Sequence, residues 1–346
     1  DLTILANGAE ASIDAAAETA AVSAGAVGMA GGGIDISNVV RNTVDADLGG
    51  NLIVNTAGNI EVKAHENTYL NAEALSVAAS FGLGAAVGAA VVSNTADSDI
   101  EATITNATVT TFGHIAGLAH SELEIDNPDT AGISGSTVGV TLNSATAIAR
   151  NTVEAGIRGA EIHADTGTVT IKAEADNDAE ATALGGAVGA LAIGAMKAEV
   201  RLGTAGEEEV IADIGNNTVI HSAGLKLQSI SNDDIFADGE ALSGGLIGLA
   251  GAEVDTATRQ DAVARVGDNV EVHTGTLEIE ATHEQSVDAR GDALAFGLGA
   301  GFGVDVDNRV LGQARVDIVQ GSELFANDIF IDAKNILTKE RFATGF

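Results

Sequence analysis

Three histidines stand at corresponding points of a repeating sequence: His163, His221 and His273, each followed within four residues by a glycine (Gly167, Gly224, Gly275). Imidazoles recurring at one corner could hold a transition metal, but such a site needs further histidine or carboxylate ligands at every level. Thr56 and Phe325 stand in that place in other copies, so the row reads as a polar corner. Carboxylates offer a second chemistry. Asp45, Glu101 and Glu154 each precede a recurring alanine, and like charges stacked that closely repel unless a cation screens them. Asp126 and Asp129 in Asp126-Asn127-Pro128-Asp129, Asp233 and Asp234 in Asn232-Asp233-Asp234, and Asp305 and Asp307 in Asp305-Val306-Asp307-Asn308 supply the hard oxygen ligands that Ca2+ prefers. The Gly-Gly-x-Gly-x-Asp nonapeptide of calcium-binding rolls is missing, and these clusters read as turns. Ca2+ is the one ion the acids could take, and no other cofactor is expected.

Catalytic constellations are harder to find. Gly-x-Gly-x-x-Gly look-alikes occur in glycine-rich stretches, but none opens a helix or has an acidic ribose partner. A polysaccharide lyase or hydrolase would need clustered carboxylates or bases beside aromatic sugar platforms, and the chain holds nine Phe, one Tyr and no Trp. The expectation is a chain with no catalytic residue and no enzymatic activity.

The elements that would position these side chains are short strands repeating on a beat. An apolar–polar–apolar–polar–small pentad occurs as Leu2-Thr-Ile4-Leu-Ala6, Ile60-Glu-Val62-Lys-Ala64, Leu123-Glu-Ile125-Asp-Asn127, Val169-Thr-Ile171-Lys-Ala173, Leu225-Lys-Leu227-Gln-Ser229, Leu277-Glu-Ile279-Glu-Ala281 and Ile329-Phe-Ile331-Asp-Ala333. Apolar residues separated by one polar residue share a strand face. The middle residues step by 58, 63, 46, 56, 52 and 52, a period of about 55 that points to a solenoid or array. A second marker, Ala46, Ala102, Ala155, Ala212, Ala264 and Ala314, keeps the same beat with steps of 56, 53, 57, 52 and 50. Gly49-Gly50, Gly215-Asn216-Asn217 and Gly267-Asp268-Asn269 lie between the markers, and Gly and Asn suit turns because they tolerate positive φ.

The rest of each repeat carries a Gly/Ala block: Ala20 to Gly33, Ala78 to Val92, Ile133 to Val140, Leu184 to Met196, Leu242 to Ala252 and Leu294 to Val304. Recurring glycine undoes the helix preference of alanine, and the blocks are too short for a membrane-spanning helix. They read as strands. Small side chains let two sheets approach closely, so the blocks suit a thin sandwich; a face left exposed would bind another solenoid or a surface.

Bulk properties bound the partners. With 16 basic and 50 acidic residues the formal net charge is −34, a field that repels nucleic acid and anionic membranes. Barrel strands crossing an outer membrane would need aromatic girdles, and aromatics are 3% of the chain. No membrane insertion is expected. There is no Cys, hence no disulfide scaffold. One Pro leaves strand ladders almost uninterrupted. The chain opens on the pentad that ends the other repeats, without Met or a signal peptide, and is expected to be a segment cut from a longer array.

A unit that hides its apolar face only against its neighbour must stack. The predicted fold is all-β: a right-handed parallel β-solenoid with a wide, flattened rung of about 50–55 residues and an Ala/Gly-rich core. It forms a single segment over 1–346 with repeats at about 7–64, 65–127, 128–173, 174–229, 230–281 and 282–333, and 334–346 beginning another repeat or a tail. The run from Ala179 to Leu227, with Ala179-Glu-Ala-Thr-Ala183, Gly186-Ala-Val-Gly-Ala190 and Val210-Ile-Ala-Asp-Ile-Gly-Asn-Asn-Thr-Val219, resembles the arrays of giant exported bacterial proteins: the filamentous-haemagglutinin-like adhesins and the large leukotoxin-like repeat proteins. That resemblance covers nearly the whole chain and carries over no site residue. It implies an extracellular or cell-surface stalk, fibre or adhesin scaffold. Self-association, end to end and laterally through the Gly/Ala band, is the expected partnership. An acidic module engaging Ca2+, a glycan or a surface is the alternative.

Overall fold

The computed structural model describes residues 1–8, 10–127, 130–203 and 210–338. Among them every regular element is a strand, and every strand pairing is parallel. The strands are long because almost nothing in the sequence breaks a ladder. Ile60–Thr105, Glu161–Leu202 and Val219–Thr258 each run through a bend as one continuous strand, with the ladder interrupted for only a few residues at the bend itself.

Each pass of the chain lies on the previous one in register. The inward pentad column is Ile4, Val62, Gly117, Ile171, Leu227, Ile279 and Ile331, with steps of 58, 55, 54, 56, 52 and 52. The third copy is therefore Ile115-Ala-Gly117-Leu-Ala119, and Leu123-Glu-Ile125 pairs eight residues further along, on Thr68–Leu70 and Asn177–Ala179. An even slip keeps every side chain on its own face, so alternation cannot detect it, and Gly117 hides the true match. Likewise Ala264 stacks on Val316 and Ala314 on Ala262, two residues from the position the alanine marker indicates. The histidine corner is preceded by Asn55 and Thr110 rather than by Thr56.

One pass is a long hairpin-like loop. In Ile60–Thr105 the chain runs outward, bends at Gly82 with φ +107°, and returns. Glu66 on the outgoing limb meets Ser98 on the returning limb at 2.8 Å, so the limbs face each other as two thin layers. At about 3.3 Å per residue each limb is roughly 65 Å long. At the other end the chain turns through residues with positive φ, namely Asn51, Asn106, Gly159, Asn217 and Asn269. It adds a short strand such as Thr108–Thr111 and enters the next pass. The turn residues stack, with Asn269 Nδ2 donating to Asn217 Oδ1 at 2.9 Å.

The core follows this shape. Branched side chains (Val62, Ile104, Ile157, Ile162, Ile171, Leu227) fill the broad three-sided end. Leu70, Leu123, Ile125, Val200 and Val254 with many alanines fill the sandwich beyond it. Towards the bend the buried residues shrink to alanines such as Ala78, Ala86, Ala183, Ala187 and Ala192, which brings the two layers together.

Candidate interaction surface

The bend is where the structure leaves apolar surface uncovered. In every pass the chain around the bend is free of charge: residues 19–34, 74–96, 130–149, 181–196, 241–252 and 293–304 carry no Asp, Glu, Lys or Arg. In the inner passes alternate residues point inward and are buried, as the thin-sandwich reading requires, and in the outermost passes the same positions are left partly open, Phe302 above Ala250 being 62% exposed. Their neighbours point outward and are apolar too. One outward column reads Ala20, Val77, Ile133, Gly186, Leu242, Leu294, and one on the returning limb reads Met29, Ala85, Val138, Leu191, Ile247, Gly299. At the bend itself Val27 is 81% exposed, Leu83 70% and Leu298 94%. Charge returns on both sides, at Glu18, Glu240 and Asp292 on the outgoing limb and at Asp35, Glu253 and Asp305 on the returning one. The result is an apolar edge running along the stack between an acidic outgoing flank and a returning flank of mixed charge, where Lys197 stacks on Glu253 and Arg150 follows the third bend.

The outgoing flank concentrates the carboxylates. Glu124, Asp178 and Asp234 stand one above another on its outer face. Burial, then the charges of Asp234, Glu124 and Asp126, push the Asp178 carboxyl up to about 6. Glu180 and Asp238 rise for the same first reason. The row of Asp45, Glu101 and Glu154 is partly offset by one cation: Arg158 bonds Asp213 at 2.9 Å, reaches Glu101 at 3.4 Å and pairs with Glu154. Desolvation raises Glu101 while Arg158 opposes it. A shallow crevice on the returning limb gathers Arg150, Arg201, Arg259 and Arg309 with Asp255 and Asp307, a grouping the sequence reading missed because its members come from four segments.

The residues singled out for Ca2+ are scattered. Asp126 and Asp234 lie on the outgoing outer face, and Asp305 and Asp307 lie on the returning limb, where Asp307 pairs with Arg309. Asp129 is outside the described residues. Asn232-Asp233-Asp234 and Asp305–Asn308 are strand rather than turn. Asp233 points into the sandwich and is wholly buried, with Oδ2 2.8 Å from His283 Nε2. Among the described residues no three or more His, Cys, Asp and Glu side chains form a group that could hold a metal ion.

Around Asp233 runs a polar seam that separates the two main cores. Asn177 Nδ2 donates to Asp233 Oδ1 at 2.9 Å and to Gln260 Oε1 at 3.1 Å, and Gln285 contacts His283 Nδ1 at 2.9 Å. In an earlier pass Glu66 accepts from Asn42, Thr68 and Ser98. The alternation Leu227, Ser229, Ser231, Asp233, Ile235 already places Asp233 inward; that was the available signal. The histidine corner forms the predicted row, rings stacked at 5.1 Å (His163–His221) and 4.9 Å (His221–His273), and Phe325 extends it at 4.7 Å. His163 and His273 pair with Glu161 and Glu271 of their own strands.

No protein-family model, no curated protein and no solved structure matches the chain.

Proposed function

We propose that the chain is a right-handed, six-repeat parallel β-solenoid serving as a non-enzymatic structural segment of a large secreted bacterial surface protein: a stalk, fibre or adhesin scaffold outside the cell that grows by stacking and associates laterally. The observation that carries this reading is the continuity of the columns up to two open edges. Ile279 is wholly buried, whereas Ile331, one pass above it in the same column, is 48% exposed. Among the described residues Leu2–Asn7 pairs only with Ile60–Thr105, and Glu323–Thr338 only with Glu271–Phe296. An unpaired parallel edge templates further strands, so passes can be added at either end without changing any existing contact.

Six passes at about 4.8 Å are roughly 29 Å tall, less than half the width of a limb. Electron micrographs of the purified chain are expected to show short plates that join face to face into fibres about 65 Å wide, with or without EDTA. Separate compact particles at all concentrations would refute the scaffold reading. The stacked acids Glu124, Asp178 and Asp234 favour the second reading, an acidic module for Ca2+, a glycan or a surface. Saturable Ca2+ binding by calorimetry, with fibres lost in EDTA, would select it.

A further inference from the structure

From the apolar edge we infer that the lateral partner of this chain is a second copy of itself, packed bend to bend with the two stacks side by side. The inference rests on the scaffold reading and names the partner of its uncovered face. Taking the twelve residues 241–252 as the narrowest charge-free segment, the edge measures about 40 Å around the bend and about 29 Å along the stack, on the order of 1,000 Å². A stable pair needs about 800 Å² from each partner, which the charge-free edge supplies without either flank.

Two further features select another copy over other occupants. The edge is corrugated at the spacing of stacked strands, about 4.8 Å, and only a surface with the same repeat meshes with it along its whole length. The net charge of −34 also makes approach through the acidic outgoing flank unfavourable, and on the returning flank Lys197 is already taken by Glu253 and Asp255, while bend-to-bend approach holds Glu240 back from the contact. A membrane surface lacks the periodicity, and the chain has no Trp and one Tyr to seat at a lipid interface.

The test is sedimentation velocity on the whole chain and on the double variant Leu83→Asp/Leu246→Asp, whose side chains are already exposed. Both are made in a background carrying Thr3→Lys and Leu5→Lys at one open edge and Ile329→Lys and Ile331→Lys at the other, to block stacking at both ends. The expected result is a wild-type-edge dimer at micromolar concentration, strengthened by salt because screening relieves acidic repulsion. The edge variant should be a monomer with unchanged circular dichroism and association weakened at least 100-fold. A wild-type edge that stays monomeric at high micromolar concentration overturns the inference, as does a dimer that survives the edge substitutions. Flotation of the monomer with phosphatidylcholine vesicles, abolished by the edge substitutions, would overturn it in favour of lipid. None of these outcomes touches growth by stacking, the part of the scaffold reading that is judged by fibre growth in the chain with its ends intact.

Discussion

Gly117 is a gap in the most regular column of the protein, and filling it should stabilise the fold. Its neighbours above and below are Ile171 and Val62. A Cβ built on Gly117 would meet nothing closer than the Ala102 carbonyl oxygen at 3.8 Å, an ordinary contact, and its φ is not in the left-handed region. Gly117→Ala removes conformational freedom from the unfolded chain, worth about 0.4–1 kcal/mol, and buries one methyl group, worth about 0.8 kcal/mol. The sum is about 1.5 kcal/mol. The matched control is Gly245→Ala, where the added Cβ would lie 1.6 Å from the Gly189 carbonyl oxygen, so the backbone of two passes must move apart. That substitution should cost about 1–3 kcal/mol. Urea unfolding followed by circular dichroism reads both: the midpoint rises for Gly117→Ala and falls for Gly245→Ala, with unchanged slope. Were the third pentad Leu123–Asn127 instead, Gly117 would sit in a connecting segment facing water. A Gly117→Ala midpoint equal to or below that of the parent refutes the register.

Breaking the buried Asp233–His283 pair on one side, by His283→Leu or Asp233→Leu, strands a polar group in the seam and should destabilise by about 3–5 kcal/mol, while the double replacement recovers most of that loss; a double-mutant cycle in urea without coupling would contradict the pairing. Asp178 titrates near 6 in the folded chain, above the ordinary carboxyl value. The folded state therefore holds its proton longer than the unfolded state, and stability falls as pH rises from about 4 to about 6. Because Asp178 is partly exposed, solvent screening limits this to about 1 kcal/mol. Asp178→Asn should flatten that part of the stability–pH curve and raise the midpoint at pH 7; an unchanged curve excludes the acidic column as a destabilising element.

Periodicity, parallel stacking and the inside–outside alternation of each limb were legible in the sequence. They depend on side-chain parity and on a beat that two markers share, and both are local properties. The same parity would have placed Asp233 inside, beside Ser231 and Ile235. It could not choose between Gly117 and Ile125 for the third pentad, because a slip of eight residues costs nothing in alternation. Nor could it reveal that Glu66 faces Ser98, or that His283 reaches Asp233 from the next pass. Those meetings depend on where the chain bends, and the bend lies inside a run of small residues that looks the same at every position. The uncovered edge is decided the same way. Composition makes the Gly/Ala blocks thin and charge-free, but only folding the limb back on itself sends half of each block inward as alanines and leaves Val27, Leu83, Leu246 and Leu298 facing water. Inward packing needs one apolar face, and these blocks have two.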